Sequence, residues 1–322
     1  MAEPKIVVTR KWPESVEAEL RKRFPDAELN VDDVPLGADG LRAALERADA
    51  VLPTVSDKLP AELFDGELRT RFLGNFGVGY NHIDTGAAAK AGIVVTNTPR
   101  VLTDTTADTT MTLLLMAARR AGEGERELRA GRWTGWRPTH MMGADVTGKT
   151  LGILGMGRIG VAVARRAHFG FGMPVVFYDP GDFEPDHGIP DARRVDAIED
   201  VLEVADFVSL HMPGGPENYH LIDSVRLAQM KPSAFLINSA RGDVIDPDAL
   251  ANALRSGTIA GAGLDVYEGE PDIPAGLTEL ENAVLLPHLG SATLETRTAM
   301  GMLVLENLQE FLEGHEPSCR VA

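Results

Sequence analysis

Three side chains able to assist the reduction of a carbonyl stand at equivalent places in this chain. Arg241, Glu270 and His288 each follow a short apolar run that reads as a strand: Ala234–Asn238, Gly261–Asp265 and Val284–Leu286. In an open parallel sheet, ligands bind beyond the carboxyl ends of the strands, so these three would meet at one edge. His288 suits proton donation to a carbonyl, because a histidine ordinarily titrates near neutrality. Arg241 offers a planar fork of donors that grips a carboxylate bidentately, which lysine cannot match. Glu270 could hydrogen-bond His288, orient it and favour its charged form. Singly, each has a plainer explanation: Arg241 as a surface partner of Asp243, Glu270 as a solvated acid like Glu268, His288 as a helix-start or core histidine. Their common placement favours one site.

A second signature lies at Leu151-Gly-Ile-Leu-Gly155-Met-Gly157-Arg158-Ile159-Gly160, followed nineteen residues later by Asp179. The run Thr150–Leu154 reads as a strand, and a helix is expected to open at Ile159-Gly160. Gly155 permits the tight turn, Gly157 lets the backbone approach a pyrophosphate, and Gly160 lets helix and strand pack closely. The helix N-terminus favours the phosphate charge. Asp179 ends the strand Pro174–Tyr178, where a carboxylate accepts hydrogen bonds from a ribose diol. Strand, glycines, helix and acid agree on a dinucleotide cofactor.

The remaining histidines add less. His211 ends the strand Phe207–Leu210 and either lines the adenine side of a cofactor pocket or packs structurally. His82, His140, His168, His187, His220 and His315 lack mutual metal-ligand spacing, so no metal is expected. No Ser-His-Asp arrangement is evident, and the lone Cys319 has no activating context.

Composition restricts the partners. A net charge of −17 repels nucleic acid and anionic membranes, and obliges an anionic substrate to find a local cation. No apolar run approaches the ~20 residues of a membrane span. The N-terminal segment lacks the apolar core of a signal peptide, and one cysteine permits no internal disulfide. Both suit a cytoplasmic protein.

The elements that position these residues alternate. Ile6–Thr9, Ala50–Leu52, Phe72–Gly74 and Ile93–Thr96 read as strands, separated by helical patterns at Glu14–Phe24, Asp39–Arg47 and Asp84–Ala91. A second series of six strands starts at Thr150. The rhythm is that of an α/β protein with two doubly wound parallel-sheet domains. Leu294–Leu312 follows the last strand with no strand of its own to cover, so it is expected to cross back to the first domain. A Rossmann cofactor domain, 101–287, would then be inserted in a discontinuous substrate domain, 1–100 and 288–322. A long apolar helix, Asp104 to Ala121, is expected between domains or in a dimer interface. The segment Arg129 to Asp145 carries Trp133 and Trp136, and reads equally as an arm on a partner subunit or an ordered loop.

The order of these motifs resembles the D-2-hydroxyacid dehydrogenase family, in particular its glyoxylate/hydroxypyruvate reductase branch, over nearly the whole chain. The carrying segments are Phe76-Gly-Val78-Gly79-Tyr-Asn-His-Ile-Asp84, Leu151 to Gly160, Asn238-Ser-Ala-Arg241-Gly242, Gly263 to Pro271, and Leu286-Pro-His288-Leu-Gly-Ser-Ala-Thr293. The resemblance implies NAD(P)H-dependent reduction of a small 2-oxo acid, with Arg241, Glu270 and His288 as catalytic residues. It implies substrate contacts from Leu52, from the amides of Val78 and Gly79, from Arg241, and from Trp136 of a neighbouring subunit in a homodimer. Cofactor contacts are implied for Thr106, Gly155, Gly157, Arg158, Ile159, Gly160, Asp179, His211, Ala240 and Asp265, the last at the nicotinamide amide. Asp179 favours NADH, with NADPH the alternative that many glyoxylate reductases use. Pro213-Gly-Gly-Pro-Glu-Asn218 has glycines and Asn218 where relatives carry threonines, which would leave backbone contacts to the cofactor there. Valine at 78 argues against a phosphite-oxidising relative, and the end at Ala322 against a regulated phosphoglycerate dehydrogenase. The rival expectations are a dehydrogenase for another 2-hydroxy acid such as D-lactate, and an NAD-sensing corepressor or scaffold.

Overall fold

A computed structural model describes residues 3–181 and 187–322. The chain forms two compact units, one of residues 1–102 with 291–322 and one of residues 103–290. Each is α/β, and the second is an insertion in the first.

The first unit is built on a parallel sheet in the order β1 (Ile6–Val8), β2 (Ala50–Leu52), β3 (Phe72–Gly74), β4 (Val94–Thr96). Short runs of β-branched and aromatic residues, apolar on both sides, suit a sheet covered on both faces. Ile6, Val8, Leu52 and Phe72 face α1 (Glu14–Arg23) and α11 (Leu294–Leu312), burying Val16, Leu20, Val304 and Leu308. Val7, Val51, Leu73 and Val95 face the other way, onto α2 (Gly37–Arg47) and α3 (Thr85–Lys90). The charges of α1 complement its dipole, with Glu14 and Glu17 in the first turn and Arg21, Lys22 and Arg23 in the last. The last helix packs in the first unit, where Gly301 lets it approach Val16.

The second unit carries a seven-stranded parallel sheet, β11-β10-β9-β8-β5-β6-β7. Its strands are β5 (Leu151–Leu154), β6 (Val175–Tyr178), β7 (Arg193–Arg194), β8 (Phe207–Leu210), β9 (Phe235–Asn238), β10 (Gly261–Leu264) and β11 (Ala283–Leu285). The chain moves outward from β5 through β6 to β7, then returns to β8 on the other side of β5, which makes a topological switch point at β5. One face is covered by α4 (Thr103–Ala118) and α6 (Arg158–Phe171). The other carries α7 (Ile198–Val204), α8 (Ser224–Gln229) and α9 (Pro247–Ser256). Two further helices are α5 (Ala121–Arg129) and the short α10 (Ala275–Thr278). Helix α9 shows how locally such elements are encoded. Asp246 caps it by accepting from the Asp248 and Ala249 amides, Pro247 opens it, and Gly257 closes it in the left-handed region.

Two expectations are corrected. The sheet has a seventh strand, β7, two charged residues at an edge that apolar periodicity cannot reveal. The helix expected over 104–121 stops at Ala118, because Arg120 takes a left-handed φ of 52° and starts α5. The buried side of α4, with Thr106, Ala107, Thr110, Met111, Leu113 and Leu114, belongs to the core of its own unit, where Gly263 of β10 lies against Leu113. Between Ala130 and Thr150 there is no regular element. Trp133 and Trp136 are 52% and 83% exposed.

Candidate active site

Neighbouring strands β9, β10 and β11 run parallel in register, with Asn238 beside Leu264 and Leu264 beside Leu285. Their carboxyl ends therefore stop at one level, and the segments that follow carry Arg241, Glu270 and His288. All three lie in the second unit. His288, assigned from sequence to the outer domain, falls inside 103–290 because its turn is anchored to β10.

That anchor is Asp265, buried at the end of β10. Its carbonyl accepts from His288 N at 2.9 Å, and its carboxylate oxygens accept from Leu289 N and Gly290 N, each at 2.7 Å. His288 holds a left-handed φ of 54°, a conformation that costs a non-glycine residue energy and persists where the surroundings enforce it. Tyr267 ties the same segments by donating its hydroxyl to the carbonyls of Leu264 and Leu286. Burial pushes the Asp265 carboxyl above its usual value, against the pull of the amides and His288.

His288 Nδ1 and Glu270 Oε2 are 2.8 Å apart, and Glu270 Oε1 accepts from Tyr267 N at 2.9 Å. Burial alone would raise the Glu270 carboxyl. Hydrogen bonding and charge from His288, the Tyr267 amide and the Arg241 charge together bring it below the usual range. Arg241 is set by Asn238, whose amide donates to the Arg241 carbonyl at 2.8 Å and accepts from Ala240 N at 2.9 Å. Burial lowers the Arg241 guanidinium from its ordinary value, opposed by Glu270 and Asp243. Gly242 lets this turn meet the acid segment, since a Cβ there would lie 1.9 Å from Tyr267 C. Asn238, Tyr267 and the turn-holding part of Asp265 were not read from sequence. The only local signal was an asparagine ending a strand just before Ser-Ala-Arg-Gly.

The glycine segment fits a dinucleotide. Gly155 has φ 94° and packs on the backbone of His211, while a Cβ on Gly160 would lie 2.2 Å from Gly155 O. A Cβ on Gly157 would meet nothing within 4 Å, so open space rather than protein packing lies in front of it. The N–H groups of Arg158, Ile159 and Gly160, at the start of α6, have no acceptor among the described residues. Asp179 accepts from Met156 N at 2.8 Å and Gly181 N at 2.9 Å, which fixes it at the end of β6. Ser239 Oγ lies 2.6 Å from Thr110 Oγ1. Thr106 is buried, near the position of a Cβ on Gly290. His211 Nε2 pairs with Ser209 Oγ at 2.8 Å, while its Nδ1 is buried without a partner among the described residues.

Other residues find structural tasks. Glu268, read as a solvated acid, pairs with His220 at 2.8 Å. Asp243, weighed as the partner of Arg241, accepts from Gly215 N at 2.8 Å, and a Cβ on Gly214 would collide with it. Packing thus explains Gly214, while Gly215 holds a φ of 108° with open space where a Cβ would be, and Asn218 donates to Pro213 O. In the first unit, Val78 and Gly79 lie in the loop after β3 with N–H groups that no described residue accepts. Leu52 is wholly buried in its core, which leaves it no surface for a ligand. No helix among the described residues is long and apolar enough to cross a membrane.

Residues 111–290 match the family model for the NAD binding domain of D-isomer specific 2-hydroxyacid dehydrogenases. The chain is 45% identical over 319 residues to a glyoxylate reductase of Korarchaeum cryptofilum, covering 98% of this chain and 94% of the relative. It is 43% identical over 321 residues to a glyoxylate reductase of Thermococcus litoralis, covering 98% and 95%. Among solved structures it is similar to the NADPH-dependent glyoxylate/hydroxypyruvate reductase of Sinorhizobium meliloti in complex with NADP and malonate. That likeness has a TM-score of 0.88 at 35% identity, covering 100% and 97% of the two chains.

Proposed function

The chain belongs to the D-isomer specific 2-hydroxyacid dehydrogenase family, and from that premise we propose that it reduces glyoxylate or hydroxypyruvate with a reduced nicotinamide cofactor. The product hydroxy acid has D configuration where it is chiral. The observation that carries the reading is the 2.8 Å pair of His288 and Glu270 at the strand edge that also bears Arg241. The names of the relatives support the substrate class.

When bound, the nicotinamide supplies hydride to the carbonyl carbon. His288, oriented through Nδ1 by Glu270, keeps Nε2 for donation of a proton to the developing alkoxide. Arg241 polarises the keto oxygen and takes the substrate carboxylate, supplying the cation that an acidic chain needs. The amides of Val78 and Gly79, without an acceptor among the described residues, are further donors for a substrate carboxylate. The first turn of α6 would hold the pyrophosphate, and Ala240 and Asp265 would contact the nicotinamide end.

Asp179 makes NADH the preferred cofactor. Its oxygens each accept one backbone N–H and retain lone pairs for a ribose diol, while its charge repels a 2′-phosphate. The S. meliloti relative is NADPH-dependent, so this is a property of the individual chain. The enzyme is proposed to be cytoplasmic and homodimeric, the exposed Trp133 and Trp136 forming the arm that reaches a second copy. Mass in solution tests the dimer. Steady-state oxidation of NADH and NADPH with glyoxylate, hydroxypyruvate and pyruvate tests the reaction. Turnover of the first two with NADH in preference is expected. Absence of turnover by protein that binds NADH would overturn it.

A further inference from the structure

The loop after β3 is held from behind by two asparagine side chains. Asn75, wholly buried, donates from Nδ2 to Gly77 O at 3.0 Å and to Gly79 O at 2.9 Å. Asn97, from the turn after β4, donates to the intervening Val78 O at 2.8 Å. Three consecutive carbonyls are therefore each taken by a side-chain amide. Because N–H and C=O of a peptide point in opposite directions, pinning the carbonyls of Gly77 and Val78 fixes the directions of the Val78 and Gly79 N–H groups, each away from the amide that holds its own peptide. Neither N–H has an acceptor among the described residues.

The clamp is itself fixed. Asn75 N donates to Thr96 O, Thr98 N to Gly77 O, and Asn97 N to Cys319 O. Asn75 Oδ1 lies 3.1 Å from His82 Nε2, which orients the amide with its NH2 toward the loop. Gly77 has no room for a side chain, since a Cβ would lie 2.5 Å from Val55 Cγ1. Burial excludes competing water from the Asn75 contacts, and an unmade hydrogen bond there would be costly.

We propose that Asn75 and Asn97 are positioning residues that preorganise the Val78 and Gly79 amides as a receptor for the carboxylate of the 2-oxo acid. The inference rests on the reading that these amides receive that carboxylate. Fixed donors bind an anion without the ordering cost that a mobile loop would incur.

Asn75→Asp is nearly isosteric but replaces two donors by acceptors facing the Gly77 and Gly79 carbonyls. The KM for glyoxylate should rise about tenfold to a hundredfold, with kcat changed less than about threefold and the Kd for NADH within about twofold. Oxalate, an unreactive dicarboxylate, should lose affinity for the NADH-bound enzyme in parallel. A general packing defect would not divide KM from kcat in this way. Where Asn75→Asp does not fold, Asn97→Ser decides alone, with several-fold losses in the same two quantities. Unchanged KM and oxalate affinity in folded variants would overturn the clamp. Failure of the underlying reading is seen in the wild type, as absent glyoxylate turnover or absent oxalate binding, and overturns the clamp with it.

Discussion

His288 and Glu270 form a pair 2.8 Å apart, and each is held by backbone contacts that the other does not share. Asp265 grips the turn of His288, while Tyr267 N donates to the second oxygen of Glu270. The pair is thus assembled by two independent anchors. His288→Ala should lower kcat by ~10²–10⁴, the usual worth of a positioned acid, with NADH binding little changed. Retention of more than about a tenth of wild-type activity would remove His288 from the proton-donating role.

Arg241→Lys keeps the charge but loses the fork. The KM for glyoxylate should rise about tenfold to a hundredfold, reflecting loss of one charge-assisted hydrogen bond. An unchanged KM would mean that the carboxylate is not gripped bidentately there.

Gly242 tests the joint between the Arg241 turn and the acid segment. Gly242→Ala puts a methyl 1.9 Å from Tyr267 C, so the two segments must separate. The protein should fold, with a lowered Tm. Its kcat/KM should fall by about 10²-fold, as expected for a displacement of roughly 1 Å between catalytic groups. Activity near wild type would show that the joint tolerates separation.

His211 should make stability depend on acid. Burial lowers its pKa from 6.5 to about 3, and Nδ1 has no partner among the described residues. Between those values the unfolded chain binds a proton that the folded chain refuses. The contribution is therefore complete above pH 6.5 and is lost as pH falls toward about 3, at up to ~1.4 kcal/mol per pH unit. Denaturant unfolding of wild type and His211→Gln across that window should give a flatter profile for the variant. Parallel profiles would mean that His211 titrates normally when folded.

Much of the architecture was legible because it is written in local pattern. Short apolar runs located β2, β3 and β8 to the residue, β1, β4, β5, β6, β9 and β10 to within a residue at one end, and β11 one residue late at both ends. Leu294–Leu312 was legible as a helix and, having no strand to cover, as a return to the first unit. The end of α4 was not, because Arg120 turns left-handed without a glycine to announce it. Nor was β7, whose two arginines pair in register with Val176 and Phe177 of β6.

The same division runs through the site. Residue type and spacing by themselves determined the α/β class, the glycine cradle, Asp179, and the trio Arg241, Glu270 and His288, since each depends on chemistry carried by the side chain and on strand order. Only the tertiary structure decided that Asp265 holds the His288 turn, that Asn238 sets Arg241, and that Asn75 and Asn97 pin the loop of Val78 and Gly79. Their partners are backbone groups. Every residue but proline offers the same N–H and C=O, so such pairings leave no trace in residue type and exist only once the chain has brought the segments together.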